Sequence, residues 1–312
     1  MSSAAAEFRE VVERLLRSLE RDGRTLEYDP RAWAQLSDLG LFGLAASGGP
    51  GGMADAVAIL GAIGTVGLIG PYPEAMMAAD VLPDDDLASL VAGTLVPTVT
   101  WNETMVPWGP IADLVLYFQP GGAVSICRVE TAAPPVRTLT GDAWMPAQIR
   151  PGRPLGIRPR AVAIGELSVA AYVVGASMRA LELAASYARD RTQFGQPIAQ
   201  FQAVTHPLAR HWSRLAAARD LTEAAASTLD IEGGRNGAVV MCARARLCAT
   251  EAANQAVYSA LQAHGGMGFV EGTEVTRLAR RVRQVSLMAV PLAESEATVR
   301  AAIEPVEPAP PD

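Results

Sequence analysis

The chain has 312 residues, of which 50% are hydrophobic, 19% charged and 5% aromatic, and its formal net charge is −7. That length carries one large domain or two to three small ones and buries a substantial core without disulfide or metal staples, and the apolar fraction excludes a disordered chain. The negative charge argues against a broad nucleic-acid footprint, and no uninterrupted apolar run is expected to span a bilayer, since the best, Ala56 to Gly70, is short and interrupted by glycines.

Residues 1–20 alternate charged and apolar groups, unlike a secretory leader. The cysteines Cys127, Cys242 and Cys248 are scattered and odd in number, as expected for core thiols of a reduced, cytoplasmic protein. The histidines show no metal-ligand spacing with Cys or Asp, so no metal is expected. Lysine is absent and every basic side chain is Arg, which fits a GC-rich genome and implies no chemistry.

Residues 1–92 are predicted to form an N-terminal helical domain. Phe8, Val11, Val12, Leu15, Leu16 and Leu19 fall at helical spacing. Asp29-Pro30 opens a second helix, with Trp33, Leu36, Leu39 and Leu41 on its apolar face. A Gly/Pro loop at 47–52 precedes a buried, glycine-containing helix from Met53 to Ile69, and Glu74 to Leu82 form a short one. Residues 93–160 are predicted to form a reduced β domain, with strands at Val96–Trp101, Asp113–Phe118, Ala123–Val129 and Val136–Leu139. Pro146 to Pro159 is predicted to be a linker. Residues 161–304 are predicted to form an antiparallel four-helix bundle, with long helices over Val162–Asp190, Gln202–Ile231 and Ala238–His264. A shorter helix is expected over about Thr273–Leu287 and a last one ends near Ile303. The proline-rich tail, 305–312, is expected to be disordered.

Two stretches depart from ordinary bundle sequence. The first runs from Tyr187 to Ile198 and on through Phe201-Gln202-Ala203. It places Arg191 and Phe194 three residues apart where a helix runs out into Gly and Pro. Such a place offers a guanidinium to a diphosphate and a ring to a heterocycle. The second, Leu261 to Phe269, sets three glycines within four residues after a helix, where the backbone can approach a ligand closely. Taken singly, each has an ordinary reading: a solvated loop Arg, a core Phe, a Gly-Gly C-cap and a satisfied buried His264.

Together and in this order, Arg-x-x-Phe-Gly, a Gln shortly after it, and Gln-x-x-Gly-Gly-x-Gly-Phe one helix pair later resemble the C-terminal domain of the acyl-CoA dehydrogenase family of flavoproteins. The resemblance covers about residues 161–290. It is looser in the N-terminal zone, where a Trp precedes a Leu-Gly-Leu-Phe-Gly-Leu turn. It implies a mainly α fold with a small central β domain, FAD as cofactor, an acyl-CoA substrate and an electron-transfer flavoprotein as acceptor. By the resemblance, Arg191 contacts the FAD diphosphate, and Phe194 and Gln202 lie near the adenosine. Gln262, Gly265 and Gly266 line the diphosphate and ribityl chain. In this family these groups reach across a dimer interface, so an oligomer is implied.

The family's catalytic glutamate occupies one of two positions. One falls here on Ala289, which carries no carboxylate. The other, counted back from Tyr187, falls on Gly165. The adjacent Glu166 is a weak candidate base, because one residue turns a helix by roughly 100°. Glu294 and Glu296 could reach back from the last helix, but Ser295 and Thr298 beside them make that face an expected exposed one. In the β domain, Thr100-Trp101-Asn102-Glu103 resembles only the start of the family's flavin-ring strand. Its Trp-x-Thr segment is not recognisable, with Trp144 a stand-in that is otherwise an edge or core aromatic.

These departures imply the base-less subunit of a heteromeric α2β2 acyl-CoA dehydrogenase of the actinobacterial kind. Such a subunit lends FAD contacts to a partner that carries the base, possible substrates including CoA esters of steroid side chains. Two alternatives stand beside it: a self-sufficient homo-oligomeric dehydrogenase using Glu166, and a non-enzymatic helical scaffold or a flavoprotein of other chemistry.

Overall fold

The computed structural model describes residues 10–11, 14–19 and 27–303. Phe8, Val12, most of residues 1–20 and the tail from Pro305 lie outside them. Residues 14–19 are helical and bury Leu16 and Leu19. Asp29 caps helix α1 (Pro30–Asp38), its Oδ1 accepting from the Arg31 amide at 2.8 Å, with Pro30 in the first turn. Trp33 and Leu36 point inward, and Trp33 lies against the rings of Phe42 and Tyr72. Leu39 and Leu41, expected on the same helix face, fall beyond its end, on the C-cap and a 3-10 turn.

Helix α2 (Met53–Val66) starts after Gly52, which has no side chain to cap it. Asp230, far along the chain, does so instead: its carboxylate accepts from the amides of Met53 at 2.7 Å and Ala54 at 3.0 Å. Helices α3 (Tyr72–Val81) and α4 (Asp84–Val91) complete this layer.

Six strands follow in the order β1-β3-β4-β6-β2, with β5 beside β6. They are β1 (Pro97–Thr100), β2 (Met105–Pro107), β3 (Leu114–Phe118), β4 (Ala123–Ala132), β5 (Val136–Arg137) and β6 (Ala143–Ile157). Only β1 and β3 run parallel. Alternation along β3 sends Leu116 and Phe118 to the helical core, and Val115 and Tyr117 to a second cluster with Val106, Ala147 and Ile149. The expected linker from Pro146 is in fact strand β6. Its prolines cannot donate to a ladder, and the β4–β6 pairing absorbs this through register shifts beside Val124, Ile126 and Val129.

The remaining helices are α5 (Pro159–Asp190), α6 (Gln202–Glu232), α7 (Asn236–His264), α8 (Glu274–Val285) and α9 (Leu292–Ile303). Contrary to the expectation that no apolar stretch could cross a bilayer, α5 is long and apolar enough by composition, with a mean hydropathy of 1.6 over its best window. That window is 83% buried inside the protein, which makes α5 the core helix of the bundle. Helix α2 crosses it backbone to backbone. A Cβ on Gly64 would collide with the Tyr172 carbonyl, and one on Gly175 with the Gly61 carbonyl. The sheet is tied to the bundle by Arg281 of α8. This fully buried guanidinium donates to both Asp142 oxygens at 2.9 and 2.7 Å and to the Tyr172 hydroxyl at 3.2 Å.

Candidate functional site

Helix α5 ends at Asp190 because the chain turns into a two-stranded hairpin, β7 (Thr192–Gln193) against β8 (Gln196–Pro197). The two residues between the strands, Phe194 and Gly195, have φ of 53° and 81°. Positive φ at both central residues is what a type I′ turn demands, and it is a strained state for Phe. The turn lifts the Phe194 ring into solvent, 94% exposed, edge-on to Phe201 at 6.2 Å. Arg191 is fixed through its backbone: its amide donates to the Tyr187 carbonyl at 2.9 Å and its carbonyl accepts from Ile198 at 2.8 Å. Its guanidinium makes no hydrogen bond or ion pair among the described residues.

The second motif is the 3-10 turn Gly265–Phe269 after α7. Gly265 takes φ 55°, and a side chain on Gly268 would strike the Leu261 carbonyl at 2.6 Å. Gly265 and Gly266 have nothing within 4 Å of where a Cβ would stand, so their backbone faces open space. The ends of α5 and α7 meet here, with the Tyr187 and His264 rings stacked at 4.6 Å and 24°.

Between these segments lies a cleft of about 820 Å³. It brings Arg191, Phe194, Gln262, Gly265 and Gly266 to one place, although they come from two motifs some 70 residues apart in the chain. Gln202 is not on its wall. It opens α6 and is exposed, while its neighbours Phe201 and Ala203 line the cleft. Tyr187, Phe201, Val204 and His264 also line it and were not singled out as binding residues. The aromatic stack that sets two of them follows from the meeting of two distant helix ends, for which the sequence carries no local signal.

The two base positions come together in space, since Gly165 of α5 abuts Val290, next to Ala289. An ideal Cβ on Gly165 would lie 2.5 Å from Met77 Sδ and 2.9 Å from Val290 Cγ2. Ala289 is buried at φ 62°, and its carbonyl accepts from Trp101 Nε1 at 2.6 Å.

Glu166 faces elsewhere and is buried. Its Oε1 accepts from the Ser295 hydroxyl at 2.7 Å, and its Oε2 lies 3.5 Å from Nε of the fully buried Arg246, too long for a hydrogen bond. Arg246 is held by the Ser286 carbonyl at 2.8 Å and by Thr250. Burial pushes the Glu166 carboxyl up to about 7 against the opposing pull of Arg246 and Ser295, and it pulls Arg246 down to about 10. Ser295 was expected on an exposed face and is instead fully buried, its hydroxyl satisfied by Glu166; Glu296 is exposed and Glu294 half-buried. Trp144 sits on β6 with its indole N–H buried and without a hydrogen-bond partner among the described residues.

A second buried carboxyl, Glu74 on α3, accepts from Trp108 Nε1 at 3.4 Å and leaves Oε2 unpaired. Burial pushes it up to about 7, opposed by its hydrogen bonds and by Arg281. Neither motif nor spacing marks it.

Residues 160–289 match the family model for the acyl-CoA dehydrogenase C-terminal domain. Over 254 residues the chain is 31% identical to acyl-CoA dehydrogenase IpdE2 of Mycolicibacterium smegmatis, covering 78% of this chain and 78% of that protein. The chain belongs to the acyl-CoA dehydrogenase family. Members of the family are oxidoreductases acting on acyl-CoA, and the mainly helical fold with its small sheet is theirs. It superposes on a chain of the ChsE4-ChsE5 complex from Mycobacterium tuberculosis with a TM-score of 0.80 at 22% identity, covering 98% of this chain and 99% of that one. It superposes on a variant of the Tcur3481-Tcur3483 steroid ACAD with a TM-score of 0.81 at 21% identity, covering 96% and 97%. In this acyl-CoA dehydrogenase fold the cleft lies at the α5 and α7 ends and the packed Gly165 region at the other end of α5.

Proposed function

We propose that this chain is the base-less subunit of a heteromeric acyl-CoA dehydrogenase, lending FAD contacts to a site completed by a partner that carries the catalytic glutamate. The observation that carries this reading is Gly165. At both positions where the family keeps its carboxylate the chain has none, and at one of them Met77 and Val290 leave no room for a side chain.

The cleft fits the adenosine diphosphate part of FAD. It holds an arginine whose guanidinium has no partner among the described residues, glycine backbone facing open space, and an exposed aromatic ring held in a strained turn. Arg191 would grip the diphosphate, Gln262 with Gly265 and Gly266 would line it, and Phe194 would cover the nucleoside end. Gln202, placed near the adenosine by the resemblance, would reach it from beside the cleft, between Phe201 and Ala203. Bound FAD supplies the hydride acceptor for α,β-dehydrogenation of the acyl-CoA. The exposed Phe194 and Phe269 rings would be covered by the partner. Two of the structural neighbours carry two-protein names, and one is named a steroid ACAD, which supports a heteromer and a bulky acyl group. Electron transfer to an electron-transfer flavoprotein, and an α2β2 stoichiometry, are carried over from the family.

The self-sufficient alternative rests on Glu166, whose engagement with Ser295 and Arg246 weighs against it. The test is a flavin spectrum and a mass by light scattering on the chain alone and co-expressed with its genomic neighbour. A colourless lone chain and a yellow pair with one FAD per pair are expected. A lone chain that is yellow and bleaches with an acyl-CoA would overturn the proposal, and loss of that bleaching in Glu166→Gln would establish the alternative.

A further inference from the structure

His264 lines the cleft, yet the motif that contains it gives it no role. Its Nδ1 lies 2.7 Å from the Ala260 carbonyl oxygen. A carbonyl only accepts, so Nδ1 carries the proton, and in the neutral ring Nε2 is a bare acceptor. That nitrogen has no partner among the described residues. The ring is doubly fixed, by Ala260 in its plane and by the Tyr187 ring stacked on its face.

The geometry points to His264 as a ligand-positioning residue, whose Nε2 accepts a hydrogen bond from a hydroxyl or amino group of the dinucleotide held beside Arg191. The two groups divide the work by chemistry. The Arg191 guanidinium has only donors and takes phosphate oxygens. A lone pair on Nε2 repels phosphate and selects the donors of the same ligand, its sugar or ribityl hydroxyls or the adenine amine. Fixing the tautomer through Ala260 makes this selection a property of the fold, because the neutral ring cannot present N–H at Nε2 without losing its bond to the backbone.

This inference rests on the reading of the cleft as an FAD site, and the experiment separates the two. FAD is titrated into the flavin-stripped assembly of wild type, His264→Phe, His264→Gln and Arg191→Ala, and the thermal midpoint of each flavin-free assembly is recorded. Phe keeps a ring to stack on Tyr187 but has no acceptor, whereas the Gln side-chain oxygen reaches the Nε2 position. His264→Phe is expected to weaken FAD binding by about twofold to tenfold, the worth of one neutral hydrogen bond. His264→Gln is expected to regain most of that loss, with thermal midpoints unchanged. Unaltered binding in His264→Phe, equal losses in both His264 variants, or a loss that only accompanies a lowered midpoint would overturn the role of Nε2. If Arg191→Ala also binds FAD as wild type does, the cleft itself is not the cofactor site and the proposed function falls with it.

Discussion

Met77 stands where a side chain on Gly165 would have to begin, its sulfur 2.5 Å from an ideal Cβ. The two residues lie on helices α3 and α5, and with Val290 they close the region where the two expected base positions, Gly165 and Ala289, meet. Replacing Gly165 with Ala therefore overpacks the junction and should cost about 1–3 kcal/mol, read as a lower urea midpoint. Gly165→Glu should destabilise further and confer no acyl-CoA-dependent flavin reduction on the lone chain. A Gly165→Glu protein as stable as wild type that bleaches with substrate would refute this account of the packing.

Glu74 gives a pH signature. Its carboxyl titrates near 4.5 when unfolded and at about 7 when folded, so the folded protein holds the proton more tightly. The stability this group contributes is present in full below pH 4.5 and is lost as pH rises to about 7. At roughly 1.4 kcal/mol per pKa unit, the loss is on the order of 3 kcal/mol. Glu74→Gln keeps an acceptor for Trp108 and removes the titration. It should match wild type at pH 4.5 and exceed it at pH 8, a difference that chemical denaturation at the two pH values measures.

Phe194 holds a left-handed backbone that costs a residue with a side chain about 1–2 kcal/mol. Phe194→Asn would create Asn-Gly, the preferred pair for this turn. The lone chain should gain about 1 kcal/mol, while the assembly loses FAD affinity because the exposed ring is gone. A gain in stability without a loss of flavin would show that the ring contacts neither cofactor nor partner.

Arg191→Ala should release FAD from the assembly. A charge-assisted bond to a phosphate is worth about 1.5–3 kcal/mol, or roughly tenfold to a hundredfold in affinity. Equilibrium dialysis of the flavin reads it, and the melting temperature of the flavin-free protein should not move, since the guanidinium has no partner among the described residues.

Much of the bundle was legible because its helices bury a face at 3.6-residue spacing over about thirty residues: observed Gln202–Glu232 differs by one residue from the pattern's end. Strand β6 was not legible. Pro146, Pro151 and Pro154 mimic a linker, and only long-range pairing, of Pro146 with β2 and of Pro151 and Pro154 with β4 through three register shifts, makes a strand of them. In the cleft, Arg191, Phe194, Gln262, Gly265 and Gly266 were marked by motif. Gln202 stands beside the cleft lining, between Phe201 and Ala203, and Tyr187 and His264 went unmarked because each acquires its place only from the other. Ser295 was misread for a similar reason: a hydroxyl looks exposed until the carboxyl that buries it, Glu166, arrives from 129 residues away.

Asp230 caps a helix start that lies 177 residues before it. During synthesis, Met53–Val66 leaves the ribosome with its first amides bare and with no local side chain able to satisfy them. The segment also lacks the α5 backbone against which its glycines close. Its start and its packing face are thus completed only by residues of α6 and α5, contacts of high sequence separation that carry a large loop-closure cost. A chain cut anywhere before Asp230 would therefore lack the carboxylate that completes the start of this helix.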